Sequence, residues 1–221
     1  TIRKRCPCRP AMAMALLYQI TVQGHILAGG WQNLAWCIAL PSALILLYRD
    51  NETVPVRVSQ GLHILLFWLL LLAAGSELWW FVGSLGWGFE PWRAGLPMAA
   101  GGIVIALVMA AIRREMWPVR VWPALYGALA LLPLIPLLFG YLLYANLGDG
   151  VVRELAYLPL INPLEEGAAF ALLGLWLYSR FAETHYSAWV PQVWRARPWA
   201  IAALAFGWLN GALVRALACY G

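Results

Sequence analysis

In YLPLINPLEEGAAFALLGLWLY, residues 157–178, two carboxylates, Glu165 and Glu166, stand side by side at the head of an otherwise apolar run. Adjacent acids in such a place suit helix capping, ion pairing with a buried cation, or proton transfer by a carboxyl group whose pKa is raised by burial. Asn162 suits the N-cap, Pro163 suits the first helical position, and Glu165 falls three residues after the cap. That is the spacing of a capping box, in which the cap side chain and the carboxylate satisfy exposed backbone donors reciprocally. A carboxylate there also meets the positive end of the helix dipole, for about 0.3–1 kcal/mol. One capping acid is enough, so Glu166, turned about 100° further round the helix, is left to another role.

Two more ionisable groups lie inside apolar runs. Glu77 in LAAGSELWW follows Ala73, Ala74, Gly75 and Ser76, small residues that mark a face for helix contact. Arg215 follows GWLNG, residues 207–211, whose Gly207 and Gly211 have the G-x-x-x-G spacing that lets another helix approach. Charges at such depth are costly, so they face a bundle interior and find partners. The expectation is a polar cluster of Glu77, Glu165, Glu166 and Arg215 near one membrane surface; a purely structural ion pair is the plainer reading of the same residues.

Other chemistry is poorly supplied. His63 shares a helix with Glu77, but fourteen residues separate them by about 21 Å along the axis. His25 and His185 are isolated, and no H-E-x-x-H, G-x-S-x-G, Walker loop or G-x-G-x-x-G occurs, so neither a metal nor a cofactor is expected. Cys6, Cys8, Cys37 and Cys219 form no C-x-x-C pair. Cys6 and Cys8, in RKRCPCRP, suit lipidation or a soft metal, with free thiols the simpler reading.

The elements that must position these groups are membrane helices. The 221 residues are 63% hydrophobic and 11% charged, and the mean hydropathy is +0.72, more apolar surface than a water-soluble domain of this size can bury. Windows of about 20 apolar residues recur along the chain without the alternation of spanning strands, so the fold is expected to be all-α, a polytopic transmembrane helix bundle. Six spans are readable: Trp31 to Tyr48, Gly61 to Val82, Arg93 to Ile112, Val121 to Ala145, Pro163 to Phe181 and Pro198 to Tyr220. Ala11 to Ala28 starts apolar but carries Gln19, Thr21, Gln23 and His25, and reads as a span, an interfacial helix or a signal-like segment.

Loop charge favours counting it. With about seven spans and a cytoplasmic N-terminus, Arg3, Lys4, Arg5, Arg9, Arg49, Arg57, Arg113, Arg114, Arg120, Arg180, Arg195 and Arg197 all fall inside, against Arg93 and Arg153 outside. With six spans the N-terminal charges change sides. The net charge of +5 therefore reports orientation, and no nucleic-acid partner is expected. In this frame the Glu/Arg cluster lies near the outer surface. The Trp residues mostly agree: Trp31, Trp79, Trp80, Trp87 and Trp92 gather at the outer boundary, and Trp117, Trp122, Trp189, Trp194 and Trp199 at the inner one.

No repeat, low-complexity tract or linker marks a second domain. Residues 1–221 read as one integral membrane domain with a basic tail, 1–10, and a cytoplasmic interfacial loop, 182–197. Pro133 and Pro136 in LLPLIPLLFG remove helix donors and should bend or break their span near mid-membrane. The chain starts at Thr1, so Met12 or Met14 is a candidate native start and the chain is a candidate piece of a longer protein.

YLPLINPLEE, residues 157–166, with the Ala/Leu/Trp-rich helix that follows, resembles the Leu-Pro-Leu-Leu-Asn-Pro-Leu-Asp segment of a bacterial family of polytopic membrane proteins known as domain of unknown function 2339. HILLFWLLLLAAGSELWW, residues 63–80, resembles its helix with a late Glu before aromatics, and GGWQNLAWCIALPSALILLYR, residues 29–49, resembles the span before it. The similarity covers Trp31 to Cys219. It implies a bacterial inner-membrane protein and brings no activity with it. Family members look longer, with many more spans, and the doubled acid departs from their Leu-Asp-Leu pattern.

Three functions fit these residues. One is a binding or translocation module for a cell-envelope or small polar ligand, with an outward-facing Glu/Arg cluster. Another is an envelope glycan or lipid transferase using an outer carboxylate as base, with GWGFEPW, residues 86–92, holding the acceptor. The last is a structural or assembly subunit in contact with lipid, further membrane helices or a second copy.

Overall fold

The computed structural model describes residues 41–45, 48, 55–84, 90–147, 158–186 and 195–220. The segment Ala11 to Ala28, most of Trp31 to Tyr48, the basic tail, Cys6, Cys8, Cys37, the Gly86 to Phe89 part of the Trp-rich loop and residues 187–194 lie outside them. Every regular element described is helical: α1, Val56–Ser84; α2, Glu90–Arg113; α3, Leu134–Ala145; α4, Pro163–Tyr186; and α5, Arg197–Tyr220. A 3-10 turn, Val119–Val121, and a π-helical stretch, Leu125–Ala130, lie between α2 and α3.

The fold is all-α. Among the described residues four helical stretches are long and apolar enough to cross a membrane: Val56–Ser84, Pro91–Arg113, Leu125–Ala145 and Arg197–Tyr220. The helix α4 has comparable length, but its charged ends, Glu165 and Glu166 at one and Arg180 and Glu183 at the other, lower its hydropathy.

The chain divides into two compact units, Thr1–Phe81 and Val82–Gly221. In the first, α1 buries Ser59, His63, Leu66, Leu69 and Ala73 along one stripe and exposes Leu65, Leu72 and Trp79. The spacing of that stripe follows the helical repeat.

In the second unit the core is a seam between α2 and α4. Pro91, Ala94, Met98, Gly101, Ile105 and Val108 are buried on α2, and Leu164, Ala168, Ala171, Leu175, Tyr178 and Ala182 on α4. Both sets alternate steps of three and four residues, the heptad spacing of left-handed supercoiled helices. Glycine makes the approach close. A Cβ added at Gly95 would overlap the Pro163 carbonyl, one at Gly102 the Phe170 carbonyl, and one at Gly174 would lie 2.8 Å from the Gly102 Cα. Since Gly95 meets the start of α4 and Gly102 the turns that follow, the two helices run parallel.

The remaining elements close round this seam. Gly101 lets Leu138 of α3 approach, and Gly127 in the π-helical stretch lies against Phe181. Pro133 and Pro136 lie beside an interruption, as expected, but the irregularity starts upstream, at Leu125. A proline ring clashes with the carbonyl four residues before it, so the disturbance spreads towards the N-terminus. Across the break, tight bonds run from Leu134 N–H to the Leu131 carbonyl, 3.0 Å, and from Ile135 N–H to Leu132, 3.3 Å.

Candidate functional site

The sequence placed a cap at Asn162 and Pro163. In the structure the Asn162 Oδ1 accepts the Leu164 backbone N–H at 2.9 Å, and its carbonyl accepts the Glu166 N–H at 2.9 Å. The cap thus satisfies one of the donors left over at the helix start. It also sets the phase of the first turn: Glu165 turns into the protein, and Glu166, one position on, is exposed.

Arg215 comes to meet Glu165 from α5. Its Nε donates to Oε1 at 2.9 Å and its Nη2 donates to the same oxygen at 2.8 Å. The second carboxylate oxygen, Oε2, accepts the indole Nε1–H of Trp208. The commitment of Oε2 explains why two guanidinium nitrogens converge on a single oxygen instead of forming the usual parallel fork. The third nitrogen, Nη1, donates to the Ala145 carbonyl at the end of α3, 3.0 Å away. The side chains are 5% exposed for Arg215 and 0% for Glu165.

A charge pair this deep is tolerable only with good geometry and added hydrogen bonds. Here the helix ends help as well. Glu165 lies in the first turn of α4, at the positive end of that dipole, and the guanidinium lies at the negative end of α3. The last four carbonyls of α3, which have no partner within the helix, are all occupied. Leu142 accepts from Asn146 Nδ2 at 2.9 Å, Leu143 from the Asn146 N–H at 3.2 Å and Tyr144 from the Leu147 N–H at 2.9 Å, and Ala145 from Arg215. One arginine therefore joins three helices.

Gly211 makes room for this. A Cβ there would lie 2.7 Å from Asn146 Oδ1 and 3.2 and 3.3 Å from the Arg215 Nη1 and Nη2 atoms, whereas at Gly207 the nearest atom is Asn146 Nδ2, an ordinary 3.8 Å away. Of the G-x-x-x-G pair, Gly211 is the position where a side chain does not fit.

Glu77, the remaining acid of the expected cluster, is half-buried on α1 in the first unit, one residue after Ser76, whose hydroxyl donates to the Ala73 carbonyl at 2.9 Å. Sequence reasoning missed the parts Trp208, Asn146 and the Ala145 carbonyl play. Among the described residues no group of three or more His, Cys, Asp or Glu side chains is placed to hold a metal.

At the opposite end of α4, Glu183 pairs with Arg197 at the start of α5 and stands 3.7 Å from Arg180. The hydrogen bond from Arg197 holds the Glu183 carboxyl below its ordinary value of 4.5, outweighing the opposing effect of desolvation. His185 stacks on Phe181 with ring centroids 4.1 Å apart.

The family model described as "Predicted membrane protein (DUF2339)" matches residues 4–220. The chain belongs to this family. Its Leu-Pro-Leu-Ile-Asn-Pro-Leu-Glu-Glu segment builds the α4 cap and supplies Glu165. No curated protein and no solved structure matches the chain.

Proposed function

We propose that the chain is a binding or translocation module of the bacterial inner membrane for a cell-envelope or other small polar ligand. In this reading the Val82–Gly221 unit is a rigid wall, and the acids at the glutamate-bearing end meet the ligand. The observation that carries it is the divergence of two neighbouring carboxylates: Glu165 is spent on Arg215 and Trp208, while Glu166 is exposed at the mouth of the same helix. Glu166 is thus available to a cationic or hydroxylated ligand, and Glu77 is a second candidate proton carrier. Proton flux into liposomes holding the parent, Glu166→Gln or Glu77→Gln tests this. Flux lost with either variant supports the reading; flux from the parent no greater than from protein-free liposomes removes translocation, leaving ligand binding.

A structural or assembly role is the second reading, favoured by the saturation of Arg215 and Glu165 and by the glycine seam. It expects both Gln variants to fold and to behave as the parent in cells. For a transferase, Glu165 is a poor base because both its oxygens are engaged, which leaves Glu166 and Glu77 to that chemistry.

A further inference from the structure

The two ends of the Val82–Gly221 unit differ in charge. Parallel α2 and α4 bring their C-terminal ends out together, and the Glu183–Arg197 pair brings the start of α5 to the same end. Among the described residues this end holds Arg113, Arg114, Arg120, Arg180, Arg195 and Arg197 against Glu115 and Glu183. Glu183 is shared by Arg180 and Arg197, whereas Arg113, Arg114 and Arg120 are exposed.

Backbone donors already serve the end of α2. Glu115 N–H donates to the Ile112 carbonyl at 3.2 Å and Met116 N–H to Ala111 at 2.9 Å, closing the helix around Glu115, whose φ is 51°. The guanidinium groups of the last turn are therefore not required as caps. The same closing turn leads straight into the 3-10 turn that carries Arg120, whose N–H donates to the Met116 carbonyl at 2.9 Å. Trp117 and Trp122, both half-buried, flank that turn.

Indole rings at the end of an apolar helix sit at headgroup depth in a bilayer. Guanidinium forks at that depth match the oxygens of a phosphodiester, which a planar arginine engages two at a time. Soluble polyanions would meet the same charge, but the Trp rings beside it favour a lipid. We propose that Arg113, Arg114 and Arg120 bind the phosphate headgroups of anionic phospholipids in the leaflet on that side of the membrane. The site is separate from the Glu/Arg cluster and independent of the ligand reading above.

The test uses the full chain purified in mixed micelles with equal phosphatidylglycerol and phosphatidylcholine, with retained lipid counted by native mass spectrometry. The parent is expected to prefer phosphatidylglycerol by about tenfold, less at high salt. Joint Arg113→Gln, Arg114→Gln and Arg120→Gln substitution should bring the ratio close to one, and Arg93→Gln at the other end should leave it unchanged. Unaltered helical circular dichroism shows that the triple variant is folded; should it not fold, Arg120→Gln alone is expected to lower the preference a few-fold. Millimolar inorganic phosphate should not displace the lipid. Equal retention of both lipids by the parent, undiminished preference in the folded variant, or displacement by phosphate overturns the proposal.

Discussion

Arg215 lies eighteen residues beyond Arg197 on α5, about five helical turns, so both guanidinium groups leave one face of the helix. Their partners Glu165 and Glu183 are also eighteen residues apart, on α4, and the pairs are crossed as antiparallel helices require. The separation is about 27 Å along the axis, close to the thickness of the hydrocarbon core. The helix α5 is thus pinned to α4 at both ends of its apolar stretch, by a buried pair at one end and an exposed one at the other.

The buried pair should dominate stability. Arg215→Ala leaves Glu165 without its cation in a dry site and is expected to cost about 3–5 kcal/mol. Joint Glu165→Leu and Arg215→Met substitution should recover part of it: no carboxylate is left without its cation, but the Trp208 indole N–H and the Ala145 carbonyl lose their partners. Denaturant unfolding in micelles, followed by circular dichroism, checks both. A parent-like midpoint for Arg215→Ala would show that the pair does not hold α5 in place.

The exposed pair should respond to acid. Because the folded-state pKa of Glu183 is depressed by Arg197 below 4.5, its contribution is complete above that value and is lost as pH falls through the lower folded value. Amide protection in the first turns of α5, taken relative to the intrinsic exchange rate at each pH, should fall at strongly acidic pH in the parent. In Glu183→Gln that acid-dependent step should be missing, with protection already low at neutral pH.

Glycine substitutions should separate close approach from mere composition. Gly102→Ala places a methyl group on the Phe170 carbonyl, and the helices must part, at a cost of about 1–3 kcal/mol or more. At Gly140 no atom lies within 4 Å, so Gly140→Ala should be neutral or slightly stabilising through helix propensity. Thermal unfolding of the two variants side by side is the comparison; equal losses would mean that the seam is not the constraint.

The neighbouring motif gives a paired prediction. Gly211→Ala should destabilise by about 1–3 kcal/mol, and Asn146→Ala in the same chain should relieve part of it, because the nearest obstacle is the Asn146 Oδ1, 2.7 Å from the new carbon. Gly207→Ala should change little. A double-mutant cycle on unfolding free energies measures the coupling.

Much of this architecture is readable before any coordinates. Hydropathy locates the helices to within a few residues, as at Gly61 to Val82 against Val56–Ser84 and at Pro198 to Tyr220 against Arg197–Tyr220. The Asn162–Pro163 start is legible because a cap is a local matter of side-chain type. The α2–α4 seam is harder, since Gly is nearly neutral on a hydropathy scale. Yet the signal was present in the equal seven-residue intervals from Gly95 to Gly102 and from Gly167 to Gly174. The matched eighteen-residue spacings of the charged pairs offered a second one. Trp208 and Ala145 offered none. An indole within an apolar run reads as packing, and a carbonyl becomes an acceptor only where its helix happens to end.

The parallel seam bears on how the protein is made. Its two halves are separated in the chain by the π-helical stretch and α3, and each buries its glycines against the other. A polypeptide delivered to the membrane from its N-terminus inserts α2 well before α4 exists, and until then the backbone at Gly95 and Gly102 faces whatever lies nearby. The close seam can therefore form only once α4 itself has reached the membrane, and until then α2 has lipid or other protein for a neighbour.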